Sequence, residues 1–153
     1  MEIQRLTKAS DEDAFLLSHI AQAAKAHWDY PPAWLALWKE DLTFQAAYIN
    51  KHTTYTVQDG NRILGFTIII SEENFFQIEH CWISPEHIGK GLGKTLLKEV
   101  LSLKAFHNQV FKVLSDPNAV GFYEKFGFQT IEMVPAEPKG RELPLMIMSN
   151  SSI

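Results

Sequence analysis

The stretch QIEHCWISPEHIGKGLGKTLLKEVLSL, from Gln77 to Leu103, decides how this chain is organised. It starts as an apolar segment typical of a strand, breaks at Ser84-Pro85, passes three alternating glycines and continues with the period of an amphipathic helix. The first N–H groups of a helix lack intrahelical partners, and the helix dipole favours negative charge there. Glycines let a phosphate approach the main chain without meeting a Cβ. The stretch therefore predicts a site for a phosphate-bearing cofactor.

The composition is typical of an ordinary globular domain. The 153 residues fit one domain, 1–153, with 46% apolar and 21% charged residues. A net charge of −4 indicates no general attraction to nucleic acid or acidic membranes. No apolar stretch is long enough to span a bilayer, and the N-terminus lacks the pattern of a signal peptide. The single cysteine, Cys81, fits a reducing compartment, so we expect a cytoplasmic protein.

Periodicity and turn residues divide the chain into alternating elements. Strands are predicted at 2–6, 53–58, 62–70, 75–83, 109–114, 128–133 and 142–148, and helices at 11–26, 42–49, 91–105 and 118–126. Pro31-Pro32 should stop any helix, 135–140 should be a loop, and the tail 149–153 should be loose. The first helix is predicted from the helical spacing of its residues Phe15, Leu16, His19, Ile20 and Ala23. The last predicted helix, 118–126, has a candidate cap in Asn118.

The order of these elements predicts an α+β fold. Asp59-Gly60-Asn61 is a strong hairpin signal, and three consecutive strands with tight turns form an antiparallel meander. The strand that ends at Ile83, the helix after it and the strand that ends at Leu114 form a crossover unit, whose strands should be parallel. The expected sheet is mixed, antiparallel in its N-terminal half with a central parallel pair, and flanked by helices.

Two common phosphate motifs do not fit the glycine turn. A P-loop would end in Gly93-Lys94-Thr95, but its first glycine would fall at Ile88. The dinucleotide fingerprint would use Gly89 and Gly91, but its third glycine would fall at Lys94. Both also fail by context, because three antiparallel strands precede the turn. A P-loop nucleotide hydrolase remains the weakest of the alternatives.

A third pattern fits better. The segment from Pro85 to Lys94 resembles the acyl-CoA-binding turn of the GNAT superfamily of N-acetyltransferases, [QR]-x-x-G-x-[GA]. Gly91 and Gly93 match its glycine positions, and Ile88 departs from its first position. The segment NAVGFYEKFGF, 118–128, resembles a second signature of the same family, N-x-x-x-F-Y-x-[KR]-x-G-F. The two signatures occur in the order and at the separation typical of the family.

This resemblance implies that the two parallel strands splay apart and hold acetyl-CoA as co-substrate. The pantetheine arm would lie along Cys81, Trp82 and Ile83. The pyrophosphate would meet the backbone N–H groups of the turn, which are those of Ile88, Gly89, Lys90, Gly91, Leu92, Gly93 and Lys94. In the second signature, the residues expected at the cofactor are Asn118, Phe122, Tyr123 and Lys125.

The resemblance also implies candidate catalytic groups. The acceptor amine must be neutral to attack, so a base or a water relay is needed. Glu79 is the preferred base and His80 the second candidate, and strand alternation should place them on opposite faces. Each could instead be an ordinary strand residue. Tyr123 would protonate the departing thiolate, although it could also be a core aromatic. Cys81 has no partner base at fixed spacing and is expected to be a packed strand residue.

The resemblance implies a primary amine as the acceptor, on a small molecule or a peptide, and the residues do not choose between them. The aromatic segment 27–38, with Trp28, Tyr30, Trp34 and Trp38, could line the acceptor pocket together with 134–144, or belong to the core or a dimer interface. Arg141 could hold an acceptor carboxylate. A homodimer is a further expectation. No histidine or cysteine spacing indicates a metal site. A catalytically silent acyl-CoA sensor is the alternative to an enzyme.

Overall fold

The computed structural model describes residues 1–150, in which a mixed seven-stranded sheet carries helices on both faces. The strands are β1 (Glu2–Arg5), β2 (Thr53–Asp59), β3 (Arg62–Ser71), β4 (Phe76–Ile83), β5 (Gln109–Leu114), β6 (Gln129–Ala136) and β7 (Arg141–Asn150). The helices are α1 (Asp11–Ala26), α2 (Pro32–Trp38), α3 (Ala46–Lys51), α4 (Leu92–Leu101) and α5 (Val120–Glu124), and single 3-10 turns occupy Pro85–His87, Lys104–Phe106 and Pro117–Ala119.

The sheet has the predicted mixed architecture. Its strand order is β1-β2-β3-β4-β5-β7-β6, and β4 and β5 form its parallel pair among antiparallel neighbours. The N-terminal meander and the central crossover through α4 are thereby confirmed. Because β7 lies between β5 and β6, the hairpin of β6 and β7 pairs with β5, the second strand of the parallel pair.

Two apolar layers cover the two faces of the sheet. On the α4 side, Leu96, Leu97 and Val100 pack with Phe111 and Met146. On the α1 side, the buried residues include Leu17, Ile49, Trp38, Phe66 and Ile68. Residues of β4 contribute to both layers, so the two sides of this strand have different surroundings.

Helix α1 has the predicted bounds, but the residues whose spacing predicts it do not all face the core. Phe15 is 71% exposed and Leu16 40%, and His19 is also open to solvent. The helix instead buries Ala14, Leu17, Ser18, Ile20, Ala21, Ala24 and Lys25. Four of these buried residues have small side chains, which permit a close approach to the sheet, while the large side chains of Phe15 and Leu16 stay outside. An acidic first turn and a capping box at Ser10 stabilise the start of the helix.

The segment before α3 corrects a helix boundary. The predicted helix 42–49 starts only at Ala46, because Leu42 and Phe44 are held by α1. The Phe44 N–H donates to the Ser18 hydroxyl at 2.8 Å, and the Gln22 amide donates to the Leu42 carbonyl at 3.2 Å. Pro32 begins α2 as its first residue, a position where a missing N–H costs nothing.

The end of the chain corrects three further predictions. Helix α4 ends at Leu101, because the Asn150 amide donates to the carbonyls of Leu101 at 2.8 Å and Phe106 at 2.7 Å. Ser149 and Asn150 pair with β5 and belong to β7, and the rest of the predicted loose tail, 151–153, lies outside the described residues. Strand β6 extends to Ala136, which shortens the predicted loop. None of the described helices has the length and hydropathy needed to cross a membrane.

Candidate active site

Strands β4 and β5 separate shortly after they meet. They pair at only three positions, of which the last joins Ile78 to Val113. From His80 to Ile83, β4 remains paired with β3 but has no partner on β5. A strand that is paired on one edge only presents free main-chain groups on the other, and an extended ligand can bind these as an additional strand.

A β-bulge lies at the point of separation. Ile69 pairs with Ile78 and Ile68 pairs with His80, so Glu79 has no direct partner on β3. The extra residue shifts the alternation of side chains along β4. His80 and Trp82 consequently face the α1 side, and the Trp82 indole N–H donates to His80 Nδ1 at 3.1 Å.

A groove of about 460 Å³ occupies the gap between the separated strands. Its lining includes nearly every residue predicted at the cofactor or the chemistry: Glu79, His80, Cys81, Trp82, Ile83, Ile88, Gly89, Gly91, Leu92, Gly93, Lys94, Asn118, Phe122, Tyr123 and Lys125. Lys90 is absent from this lining and is exposed at the rim. The fold thus brings two distant segments of the chain together around one elongated cavity.

The glycine turn forms one end of the groove. Gly89 and Gly91 have φ of +88° and +78°, a region that only glycine adopts at little cost. Gly91 precedes the first residue of α4, and no side chain caps the helix. Within residues 1–150, the N–H groups from Gly89 to Lys94 make no hydrogen bond, whereas that of Ile88 donates to the Pro85 carbonyl at 3.3 Å. The free run of donors therefore begins one residue later than predicted, and it suits a pyrophosphate.

His87 is a groove residue that the sequence did not single out. Its Nε2 is buried and has no hydrogen-bond partner among the described residues, while its Nδ1 lies 3.4 Å from Lys90 Nζ. A buried polar atom without a partner costs free energy. An acceptor oxygen of a bound cofactor would remove that cost. The only local signal was the position of His87 two residues before the first glycine.

Tyr123 lies in the wall of the groove, where it packs against Phe122 and Phe128. Burial raises its pKa well above the usual value, so its hydroxyl keeps its proton at neutral pH. Burial also raises the pKa of the Cys81 thiol to about 12, against the opposing hydrogen bonds of Thr67 and Tyr123. A thiol with this pKa is not a nucleophile near neutral pH, so the geometry favours Cys81 as a packed residue.

The two candidate bases differ in their surroundings. Burial lowers the pKa of His80 to about 4, and its ring packs edge-on against Phe44, with centroids 4.7 Å apart. Glu79 lies at the open edge of the groove and makes no side-chain hydrogen bond or ion pair within residues 1–150. Partial burial, together with the negative charge of Glu72, raises the pKa of Glu79.

A cluster of buried charges closes the α1 side of the groove. We call it the Asp116 cluster, and its members are Lys25, Tyr30, Asp116, Asn118 and Arg141. Lys25 forms an ion pair with Asp116, and the Tyr30 hydroxyl donates to Asp116 at 2.9 Å and accepts from Arg141 at 3.0 Å. Burial alone would raise the pKa of Asp116, but the hydrogen bond and charge of Lys25 hold it below its usual value.

Asn118 does not cap a helix. Its backbone N–H and its amide both donate to the Asp116 carboxylate, at 2.9 and 3.0 Å, so Asp116 is the cap of the 3-10 turn. Helix α5 starts two residues after Asn118 and has no side-chain cap. The position of Asn118 beside the groove agrees with a role at the cofactor, which stays a prediction.

The aromatic segment and Arg141 are mostly committed to the fold. The Trp38 indole N–H donates to the Glu137 carbonyl at 3.0 Å, and the ring is 7% exposed. Tyr30 stacks on Trp34, and Arg141 lies 4.6 Å above the Trp38 ring. Trp28 alone of the four predicted aromatic residues lines the groove. This segment therefore forms part of the core, one of the two alternatives that the sequence left open.

Comparison with known proteins agrees with this geometry. Residues 19–149 match the family model described as an acetyltransferase (GNAT) domain. The PaiA N-acetyltransferase from Thermoplasma acidophilum, solved in complex with coenzyme A, superposes with a TM-score of 0.71 at 20% identity, over 97% of this chain and 99% of that one.

Two further solved structures share the fold. The ribosomal-protein-S18-alanine N-acetyltransferase from Escherichia coli has a TM-score of 0.68 at 16% identity, over 99% of this chain and 96% of that one. An aminoglycoside 6'-N-acetyltransferase complexed with coenzyme A has a TM-score of 0.70 at 12% identity, over 98% and 97%. At identities of 12–20%, these similarities show a shared fold.

Proposed function

Because the chain belongs to the GNAT family of acetyltransferases, we propose that it transfers the acetyl group of acetyl-CoA directly to a primary amine. The observation that carries this proposal is the separation of β4 from β5 after Ile78, beside a turn with free N–H donors and a buried tyrosine. Acetyl-CoA would supply the reactive thioester. The chain would bind it, orient it and move the protons.

The glycine turn would hold the pyrophosphate. Six successive N–H groups, from Gly89 to Lys94, point from the start of α4, where the helix dipole adds to their attraction. Lys94 and Lys125 line the groove near this end and add positive charge. The Ile88 side chain replaces a polar residue of the family pattern, but the donors are main-chain groups, so this departure leaves them in place.

The free edge of β4 would align the pantetheine arm. Cys81, Trp82 and Ile83 lack partners on β5 and line the groove. Main-chain hydrogen bonds to this edge would bring the thioester to the bulge at Glu79. An N–H of the strand there would polarise the thioester carbonyl, in the manner of an oxyanion hole.

Glu79 is the group that we propose to receive the proton of the amine, directly or through one water. It is unpaired, it lines the groove at the bulge, and its raised pKa makes it a better base than an ordinary carboxylate. His80 is the weaker candidate, because its pKa of about 4 makes it a poor base and its Nδ1 already accepts from Trp82.

Tyr123 is the group that we propose to serve the leaving thiolate. Its hydroxyl is protonated at neutral pH and lies in the groove wall beside Cys81. It would donate a hydrogen bond to the sulfur as negative charge develops there and pass on a proton as the thiol leaves.

The identity of the acceptor does not follow from the neighbours. Structures of similar resemblance are named for acceptors as different as a ribosomal protein and an aminoglycoside. A small molecule and a peptide are therefore both retained as acceptor classes. We also propose the cytoplasm as the location, as the single cysteine suggested.

The experiment that tests the proposal measures thiol release from acetyl-CoA with a panel of amines, in the wild type and in Glu79→Gln. We expect turnover with at least one amine, and a loss of kcat of about 100-fold in the variant, the scale of general base catalysis. Tight acetyl-CoA binding without turnover of any amine would instead identify a silent acyl-CoA sensor.

A further inference from the structure

A second cavity, of about 450 Å³, opens on the α1 side of the bulge in β4. Its lining includes Asp41, Thr43, Phe44, Tyr48, Glu79 and His80. Glu79 and His80 also line the cofactor groove, so the two cavities meet at the bulge. A molecule in the second cavity would therefore lie next to the part of the cofactor groove that Glu79 and His80 line.

This cavity is negatively charged. Its ionisable lining groups other than Tyr48 and His80 are the two carboxylates, Asp41 and Glu79, and no lysine or arginine of residues 1–150 lines it. Neither carboxylate forms an ion pair within those residues, and Glu72 adds its negative charge near Glu79. An anionic acceptor would be repelled, whereas a cation would find two unneutralised partners.

Aromatic rings form one wall of the same cavity. Phe44 and Tyr48 stack with centroids 5.9 Å apart and an interplanar angle of 9°, and His80 packs against Phe44. Faces of aromatic rings attract cations, and their apolar area suits the methylene chain of an alkyl amine. Burial and the charge of Glu79 raise the pKa of Tyr48 to about 12, so its hydroxyl remains a neutral donor.

Among residues 1–150, the cations Lys25 and Arg141 of the Asp116 cluster are paired, so neither is free to bind an acceptor carboxylate. The guanidinium of Arg141 donates to Tyr30 at 3.0 Å, lies 3.8 Å from Asp116 and stacks over Trp38. An acceptor carboxylate would have to break these contacts in order to bind Arg141. This favours positive over negative charge on the acceptor.

We propose that the second cavity selects acceptors that carry a second cationic group in addition to the amine that is acetylated. Asp41 holds the second cation, and Glu79 faces the reacting amine. This inference rests on the proposed acetyl transfer and specifies the charge of its acceptor.

The test compares three acceptors of similar length: cadaverine with two amines, pentylamine with one, and aminocaproate with an amine and a carboxylate. We expect kcat/KM for cadaverine to exceed that for pentylamine by about tenfold, the effect of one charge-assisted hydrogen bond, and aminocaproate to be the poorest. Asp41→Asn should reduce the preference to about twofold. The matched control is Glu132→Gln, which removes one charge from an exposed position on β6 and should keep the preference.

The possible failures are distinguishable. Equal use of cadaverine and pentylamine, or an unchanged preference in Asp41→Asn, overturns this inference and leaves the proposed acetyl transfer intact. Turnover of an alanine-terminated peptide but of none of the three amines has the same meaning. No thiol release with any acceptor, although acetyl-CoA binds, overturns the proposed function and this inference with it.

Discussion

The two sides of β4 are built differently. On the α4 side lie Cys81, Tyr123 and the glycine turn, whose polar groups are free donors or protonated hydroxyls. On the α1 side lie His80, Trp82 and the Asp116 cluster, whose polar groups are paired with one another. Lys25 of this cluster reaches over the Trp82 ring, 6.0 Å from its centroid.

The difference shows how one strand can carry both stability and chemistry. Removing one partner of a buried ion pair destabilises the fold, because the charge that remains has no compensation. Unpaired groups along a groove contribute little to folding but are available to a ligand. Changes in the Asp116 cluster or at His80 should therefore act on the free energy of unfolding, and changes at the unpaired groups of the groove and of the second cavity should act on binding or turnover.

The largest expected effect comes from removing the carboxylate of Asp116, on the α1 side. Asp116→Ala leaves Lys25 and Arg141 without their carboxylate and removes a cap, so we expect a loss of about 3–5 kcal/mol in the free energy of unfolding. Denaturant titration measures it. Glu86→Ala is the matched control, since its pair with Arg62 is exposed to solvent and its loss should change the free energy of unfolding far less. Similar losses in both variants would contradict the distinction.

The next effect is a pH dependence that arises from His80. Its pKa is about 4 in the folded chain against 6.5 for the free side chain, so below about pH 6.5 the unfolded chain binds a proton that the folded chain lacks. The free energy of unfolding should fall between pH 6.5 and 4, by at most about 3 kcal/mol at 1.4 kcal/mol per pKa unit.

The measurement for His80 is denaturant unfolding of the wild type and His80→Gln across this pH range. The variant should show a flatter profile, whereas the exposed control His27→Gln should follow the wild type. Asp116, with a lowered pKa, loses its contribution only at lower pH, so it does not obscure the comparison. Parallel profiles for the wild type and His80→Gln would show that His80 is not held neutral by the fold.

On the α4 side, Tyr123→Phe separates chemistry from folding. The ring and its packing against Phe128 are retained, and only the hydroxyl is lost. We expect kcat to fall by about 100-fold, with a small change in KM for acetyl-CoA and in the free energy of unfolding. Steady-state thiol release provides the first two numbers. An unchanged kcat would remove Tyr123 from the chemistry.

A smaller effect concerns cofactor binding by the glycine turn. Gly91 has φ of +78°, a conformation that costs any other residue about 1–2 kcal/mol. Because coenzyme A must bind the turn in this conformation, Gly91→Ala should raise its Kd by about tenfold, as measured by calorimetry. Gly121→Ala is the control, because that glycine lies in a helix with no atom near its absent Cβ.

A second comparison at the same turn concerns Ile88. The free main-chain donors, from Gly89 to Lys94, stay in place in Ile88→Gln, and the Ile88 N–H is already bonded to Pro85. This variant should therefore change the Kd for coenzyme A by less than about threefold. A large gain in affinity would show that the family's polar residue at this position contributes more than the main-chain donors do.

The sequence by itself determined the features that are local in the chain. The glycine turn, the helix after it, the hairpin meander and the segment around Tyr123 are each set by consecutive residues, and glycine spacing or hydrophobic period reports them directly. The family followed from these two signatures, and with it the splayed parallel pair.

Only the tertiary structure decided which way side chains face and which charges meet. The bulge at Glu79 arises from the pairing of β3 with β4, and simple alternation along one strand cannot reveal it. Lys25 and Asp116 are 91 positions apart, and Tyr30 and Arg141 are 111 apart. Such pairs form because burial forces each charge to find a partner, and the partner is chosen by the packing of α1 and the C-terminal hairpin against the sheet.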